Sequence, residues 1–118
     1  ILDNSPKPQL VLEPWAAATL TDVMKGVITS GTGTAAQIGR PAAGKTGTTT
    51  SERDIWFVGF VPQLATAVWV GNDNYQPVGK GATGGVFVAP IWRSFMSQAL
   101  KNTPVENFRP PSQFDRPK

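Results

Sequence analysis

The sequence contains no cysteine and no histidine. Without cysteine there are no disulfides and no thiolate metal sites. Without histidine the usual general base, the Ser-His-Asp arrangement and the commonest zinc ligand all drop out. Proton transfer would have to run through Lys, Asp, Glu or a hydroxyl, and no metal or organic cofactor is expected. Also missing is any run of about 18 apolar residues, so none of these residues is expected to cross a membrane as a helix. Charge is sparse: 11 Lys and Arg against 8 Asp and Glu leave a net +3, and the basic residues are scattered. A basic stripe of the kind that holds nucleic acid is absent, so no nucleic-acid partner is expected.

What is present is aromatic and apolar. Four Trp and six Phe stand in a chain that is 40% hydrophobic, a globular composition. At 118 residues it makes at most one domain with a modest core. It begins at Ile1 with neither Met nor a signal-like segment, and reads as a piece of a longer protein.

Residues 1–9 are polar, carry two prolines and read as a connector. Pro14 suits a first helical turn. Leu20, Val23, Met24, Val27 and Ile28 then recur at helical spacing. They predict an apolar stripe turned to the core, with the helix ending near Ser30 and Gly31 as its cap. Gly31 to Thr34 is a turn-rich stretch. Asp54 to Val61 is apolar on both alternating faces, Ile55, Phe57 and Val61 on one and Trp56, Val58 and Phe60 on the other. Such a strand is expected to be covered on both sides. The link Pro62-Gln63 and the run Leu64 to Val70 predict an antiparallel hairpin. Gly71 to Phe87 reads as a loop in which Gly79, Gly81, Gly84 and Gly85 permit positive φ, and Gly79 to Gly85 is expected to pack beneath the last helix in preference to shaping the cleft rim. Pro90 opens that helix, with Ile91, Trp92, Phe95, Met96 and Ala99 as its buried face and Asn102 and Pro104 ending it. Residues 1–102 therefore form the folded segment and residues 103–118 a proline-rich tail or linker. The fold class is α+β, an antiparallel sheet covered by helices.

The stretch from Gly39 to Thr49 concentrates the chemistry and fits two motifs. Gly39 to Thr46 matches the phosphate-loop pattern G-x-x-x-x-G-K-[ST]. That loop needs a buried strand before it and a helix starting at the Lys-Thr. Thr34 to Ile38 is too short and small-residued for the strand, and Thr48-Thr49-Thr50 is β-branched and poor helix material. A small nucleotide-binding module is thus the alternative reading. On a strand, Lys45, Gly47 and Thr49 point to one face and Thr46, Thr48 and Thr50 to the other. The glycines let another backbone approach, as on a strand edge facing a cleft. Lys45 then supplies a cation and a proton relay, the threonines bond a carboxylate, and the edge takes an extended peptide. On Lys45 alone, a charge guarding an edge strand against aggregation explains the residue equally well.

Lys45-Thr46-Gly47 is also the third motif of the penicillin-interacting enzymes. It is followed by Asp54-Ile55-Trp56-Phe57-Val58-Gly59, Val68-Trp69-Val70-Gly71, Gly79-Lys80-Gly81-Ala82-Thr83-Gly84-Gly85 and Ala89-Pro90-Ile91-Trp92. Met24-Lys25-Gly26-Val27, Gly31-Thr32-Gly33-Thr34-Ala35 and Gly39-Arg40-Pro41 precede it. With these stretches in this order, the chain resembles the C-terminal part of the transpeptidase domain of class A (bifunctional) penicillin-binding proteins. The resemblance covers roughly residues 10–100.

It implies a serine β-lactamase/transpeptidase-like fold. It also implies a peptidoglycan D,D-transpeptidase, in which a serine attacks the penultimate D-Ala carbonyl of a stem peptide and an amine of a neighbouring strand accepts the acyl group. β-Lactam antibiotics would acylate the same serine. By position, Lys45 resembles the cleft lysine that bonds the second-motif serine and helps orient proton transfer. Thr46 and Thr48 resemble the hydroxyls that bind the substrate carboxylate, with Gly47 and Thr49 beside them in the substrate-binding strand. The backbone N–H of Thr48 resembles an oxyanion donor. The expected location is the outer face of the bacterial cytoplasmic membrane, with an N-terminal anchor and a glycosyltransferase domain outside these residues. Neither Ser-x-x-Lys nor Ser-x-Asn occurs in the sequence. This chain alone is therefore expected to be inactive, with the nucleophile on a companion polypeptide that also covers one sheet face and one strand edge. A non-catalytic wall-binding fragment is a further alternative.

Overall fold

The computed structural model describes residues 2–118. Helix α1 (Pro14–Thr29) leads through a short 3-10 turn (Thr34–Ala36) to strand β1 (Ala43–Thr48). Strands β2 (Asp54–Val61) and β3 (Leu64–Gly71) follow, then a wide helical turn (Gly84–Val88) that runs into helix α2 (Ala89–Ala99). The three strands form one antiparallel sheet in the order β1-β2-β3. The hairpin turns at Pro62-Gln63, where Val61 pairs with Leu64.

The core lies on one face of the sheet. Ile55, Phe57 and Val61 of β2 point there, and α2 lays Trp92 and Met96 over them. Phe57 and Trp92 meet edge-on with ring centroids 5.1 Å apart, and the Trp92 indole N–H donates to the Thr66 carbonyl at 3.0 Å. That bond satisfies the polar end of a fully buried ring. Each such side chain stabilises the fold by about 1.5–3 kcal/mol relative to exposure. Gly59 is fixed by the same contact, because a Cβ there would stand 2.8 Å from the Trp92 ring.

Three sequence expectations about cover need correction. Trp56 and Val58, on the other face of β2, are exposed, so most of that face is uncovered, whereas Phe60 at its end is part-buried. In α1, Ile28 is buried whereas Leu20 and Val23 face outward. In α2 the buried set is Ala89, Trp92, Met96 and, just past its end, Leu100, while Ile91 and Phe95 are exposed. The cause is common to all three. Periodicity reports which positions are apolar, not whether a layer lies above them. The glycines differ in a related way. Gly39 and Gly81 are the described glycines with positive φ, whereas Gly31 serves by close approach, its would-be Cβ lying 2.9 Å from the Val27 Cα.

Residues 103–118 run back over the fold. Phe108 packs edge-on against Phe60, and Arg116 lies over the Trp15 ring. Their one regular turn, Pro111–Gln113, rests against α1. The radius of gyration, 16.2 Å, exceeds the roughly 13 Å typical of a compact 100-residue domain. Part of the excess lies in residues 2–13, which are exposed and form no helix or strand ahead of α1.

Candidate functional site

Among the described residues strand β1 pairs with β2 alone, so no strand takes up its other edge, and α1 packs against β1. Two glycines give the strand its shape. Gly44 is buried, and a Cβ there would lie 2.8 Å from the Val58 carbonyl oxygen. Gly47 faces its cross-strand partner Trp56, with a would-be Cβ 3.3 Å from the Trp56 Cβ. The Thr49 N–H donates to the Asp54 carbonyl at 3.0 Å, which sets the phase of the ladder. Antiparallel alternation then turns the N–H and C=O groups of Thr46 and the N–H of Thr48 to the unpaired edge.

The side chains converge on that edge from both faces. Lys45 shares a face with Gly47, Val58 and Trp56, and Thr46 and Thr48 lie on the opposite one. The exposed Lys45 ammonium wraps around the strand, donating to the Thr46 carbonyl at 3.0 Å and lying 3.5 Å from the Thr46 Oγ1. The Thr46 hydroxyl is 2.8 Å from that of Thr32. The Thr48 Oγ1 accepts the Gly84 N–H at 3.1 Å. Thr32, Thr46, Thr48 and Gly84 line a cleft of about 440 Å³ together with Thr34, Thr83, Gly85 and Val86. The cleft offers hydroxyls, with a cation at its margin, a donor set suited to a carboxylate. Thr49 stands apart from it: its Oγ1 accepts the Asp54 N–H at 2.9 Å.

The far wall comes from a segment expected to serve packing. A Cβ on Gly84 would collide with the Trp56 carbonyl, and one on Gly85 with the Thr32 carbonyl. The two glycines thus bring the loop onto β1 and also line the cleft. Thr83 holds the turn by accepting the Val86 N–H at 3.3 Å. Thr32, Thr34 and Thr83 were not singled out by the sequence as site residues. Their signal was a glycine next to each threonine in two separate turn-rich stretches, and such a pattern says nothing about which stretches meet.

The approach to β1 is fixed from behind. Arg40, three residues before the strand, donates to the carbonyls of Leu100 at 3.2 Å, Thr103 at 3.0 Å and Pro104 at 3.4 Å. A guanidinium there satisfies carbonyls at and beyond the end of α2 and complements the helix dipole. Among the described residues no cluster of three or more acidic side chains could hold a metal ion, and no helix is long and apolar enough to cross a membrane.

Comparison with known proteins bears on these observations. The family described as penicillin binding protein transpeptidase domain matches residues 1–97. Penicillin-binding protein 1A of Rickettsia prowazekii is 43% identical over 93 residues, 78% of this chain and 12% of that protein. The proteins of the same name from Neisseria flavescens and Aquifex aeolicus are 38% and 37% identical over 92% and 94% of this chain, and 14% and 15% of their own lengths. The chain therefore spans only 12–15% of these relatives. The crystal structure of penicillin-binding protein 1A from Haemophilus influenzae superposes with a TM-score of 0.74 at 28% identity, over 86% of this chain and 17% of that one.

Proposed function

The chain belongs to the penicillin-binding protein transpeptidase domain family, and on that premise we propose that it forms the Lys-Thr-Gly wall of a peptidoglycan D,D-transpeptidase site. The complete domain cross-links stem peptides through a serine acyl-enzyme and is acylated at that serine by β-lactams. Lys45 provides the cation that orients proton transfer. Thr46 and Thr48 bind the substrate carboxylate, and Gly47 and Thr49 shape the strand against which the peptide lies. The Thr48 N–H is an oxyanion donor, stabilising charge that develops in the transition state by about 3 kcal/mol. Residues 1–102 are the domain segment and residues 103–118 a tail beyond it. The whole protein works at the outer face of the cytoplasmic membrane.

The observation that carries this reading is the unpaired edge of β1, where the Lys45 ammonium, two threonine hydroxyls and the outward N–H of Thr48 come together beside a hydroxyl-lined cleft. A phosphate loop has no support here, since Lys45 and Thr46 lie in a strand and no helix starts at them. The nucleophile and the Ser-x-Asn motif belong to polypeptide outside these residues, which also covers the exposed Trp56 and Val58 face and the outer edge of β3.

Intact mass spectrometry of the complete protein, before and after penicillin, tests the reading. One drug mass is expected on the part carrying Ser-x-x-Lys, and Lys45→Ala should slow acylation by roughly a hundredfold or more, as loss of a transition-state contact does. An unchanged rate would point instead to a non-catalytic wall-binding segment.

A further inference from the structure

The hydroxyls around the cleft differ in how their single protons are used. A threonine hydroxyl has one proton to donate and two lone pairs to accept with. The Thr48 Oγ1 accepts the Gly84 N–H, which leaves its proton free. The Thr46 Oγ1 has two neighbours, the Lys45 ammonium at 3.5 Å and the Thr32 hydroxyl at 2.8 Å. Lys45 can only donate. The direction of the Thr32–Thr46 bond therefore decides whether Thr46 keeps a proton for a ligand.

Building on the carboxylate-binding role proposed for Thr46, we infer that Thr32 is a positioning residue for that carboxylate. Thr32 donates to Thr46, and Thr46 in turn donates to the anion. Each bond in such a chain polarises the next, so an anion in the cleft selects this direction. Thr32 comes from the turn after α1, 14 residues before Thr46, and is held there from behind. Its carbonyl lies against Gly85, where no side chain fits. The same loop that sets Thr48 through the Gly84 N–H thus also buttresses Thr32, and the two free hydroxyl protons face one cleft.

The test uses the complete protein and two probes that differ at one group: benzylpenicillin, which carries the carboxylate, and its methyl ester, which does not. Acylation rates are read by intact mass for the wild type, Thr32→Val and Thr32→Ser. Thr32→Val should slow acylation by benzylpenicillin about fivefold, the scale of one hydrogen bond between neutral hydroxyls, and leave the ester rate within about twofold. Thr32→Ser, which restores the hydroxyl, should recover the benzylpenicillin rate. Equal slowing with both probes, or no slowing with either, overturns the inference while the transpeptidase reading stands. No acylation of the wild-type protein by benzylpenicillin overturns both.

Discussion

On one face of the sheet Ile55 and Phe57 are wholly buried beneath Trp92; on the other, Trp56, Val58 and Trp69 are 41%, 45% and 46% exposed. The residues of the two faces alternate along the same strands and are equally apolar. What differs is the layer above. Helix α2 closes the first face and is part of this chain, whereas on the second face the cover reaches Ala43, which is fully buried, and Phe60, against which Phe108 packs, and stops short of Val58 and Trp56. Trp56 and Trp69 still contact each other, with centroids 6.4 Å apart, and the Trp69 indole N–H bonds the Asp54 carboxylate at 2.9 Å. The open face is thus ordered by its own pairs while keeping an apolar area of the kind that marks an interface.

The most damaging way to break this contrast is to empty the closed face. Trp92→Ala should cost about 3–5 kcal/mol, read as a fall in the denaturation midpoint of the complete protein. A cost below about 1 kcal/mol would mean that the core is not held by this ring. Next comes the junction of the closed face with the cleft. Gly84→Ala drives a methyl into the Trp56 carbonyl and should cost about 1–3 kcal/mol by overpacking. It should also slow penicillin acylation, because the Gly84 N–H leaves Thr48. A stable variant with unchanged acylation would uncouple the loop from the cleft.

Arg40→Gln should cost on the order of 1–2 kcal/mol through the lost carbonyl bonds at the end of α2. Recovery by Arg40→Lys should be partial, since an ammonium cannot reproduce the guanidinium fork. The gentlest probe is the open face itself. Oxidative labelling of the 118-residue chain should modify Trp56 and Trp69 readily and spare Trp92, and in the complete protein all three should be protected. Equal labelling of Trp56 in both would show that no further layer covers this face.

Much of the fold was legible because its signals are local. Alternation marked β2 and β3, the two-residue Pro62-Gln63 link forced them antiparallel, and Pro14 and Pro90 marked the first turns of α1 and α2. Lys45, Thr46 and Thr48 could be named because they are neighbours on one strand. Thr32 and Thr83 could not, since they stand 14 residues before and 37 residues after Thr46 and meet it only through folding. Exposure of Leu20, Val23, Ile91 and Phe95 was equally invisible. An apolar stripe has the same pattern whether its cover lies within these residues or beyond them.

By itself the sequence determined the kinds of element, the hairpin, the absence of histidine and thiol chemistry, and the ordered motifs that place the chain in its family. These depend on residue type and short spacing, which chain connectivity alone preserves. The tertiary structure decided which sheet face is closed, that Arg40 ties the start of β1 to the end of α2, and that two glycine turns far apart in sequence face one strand edge to form a hydroxyl cleft. Those outcomes depend on packing between distant segments, where a missing Cβ at Gly84 or Gly85 sets the approach of two backbones.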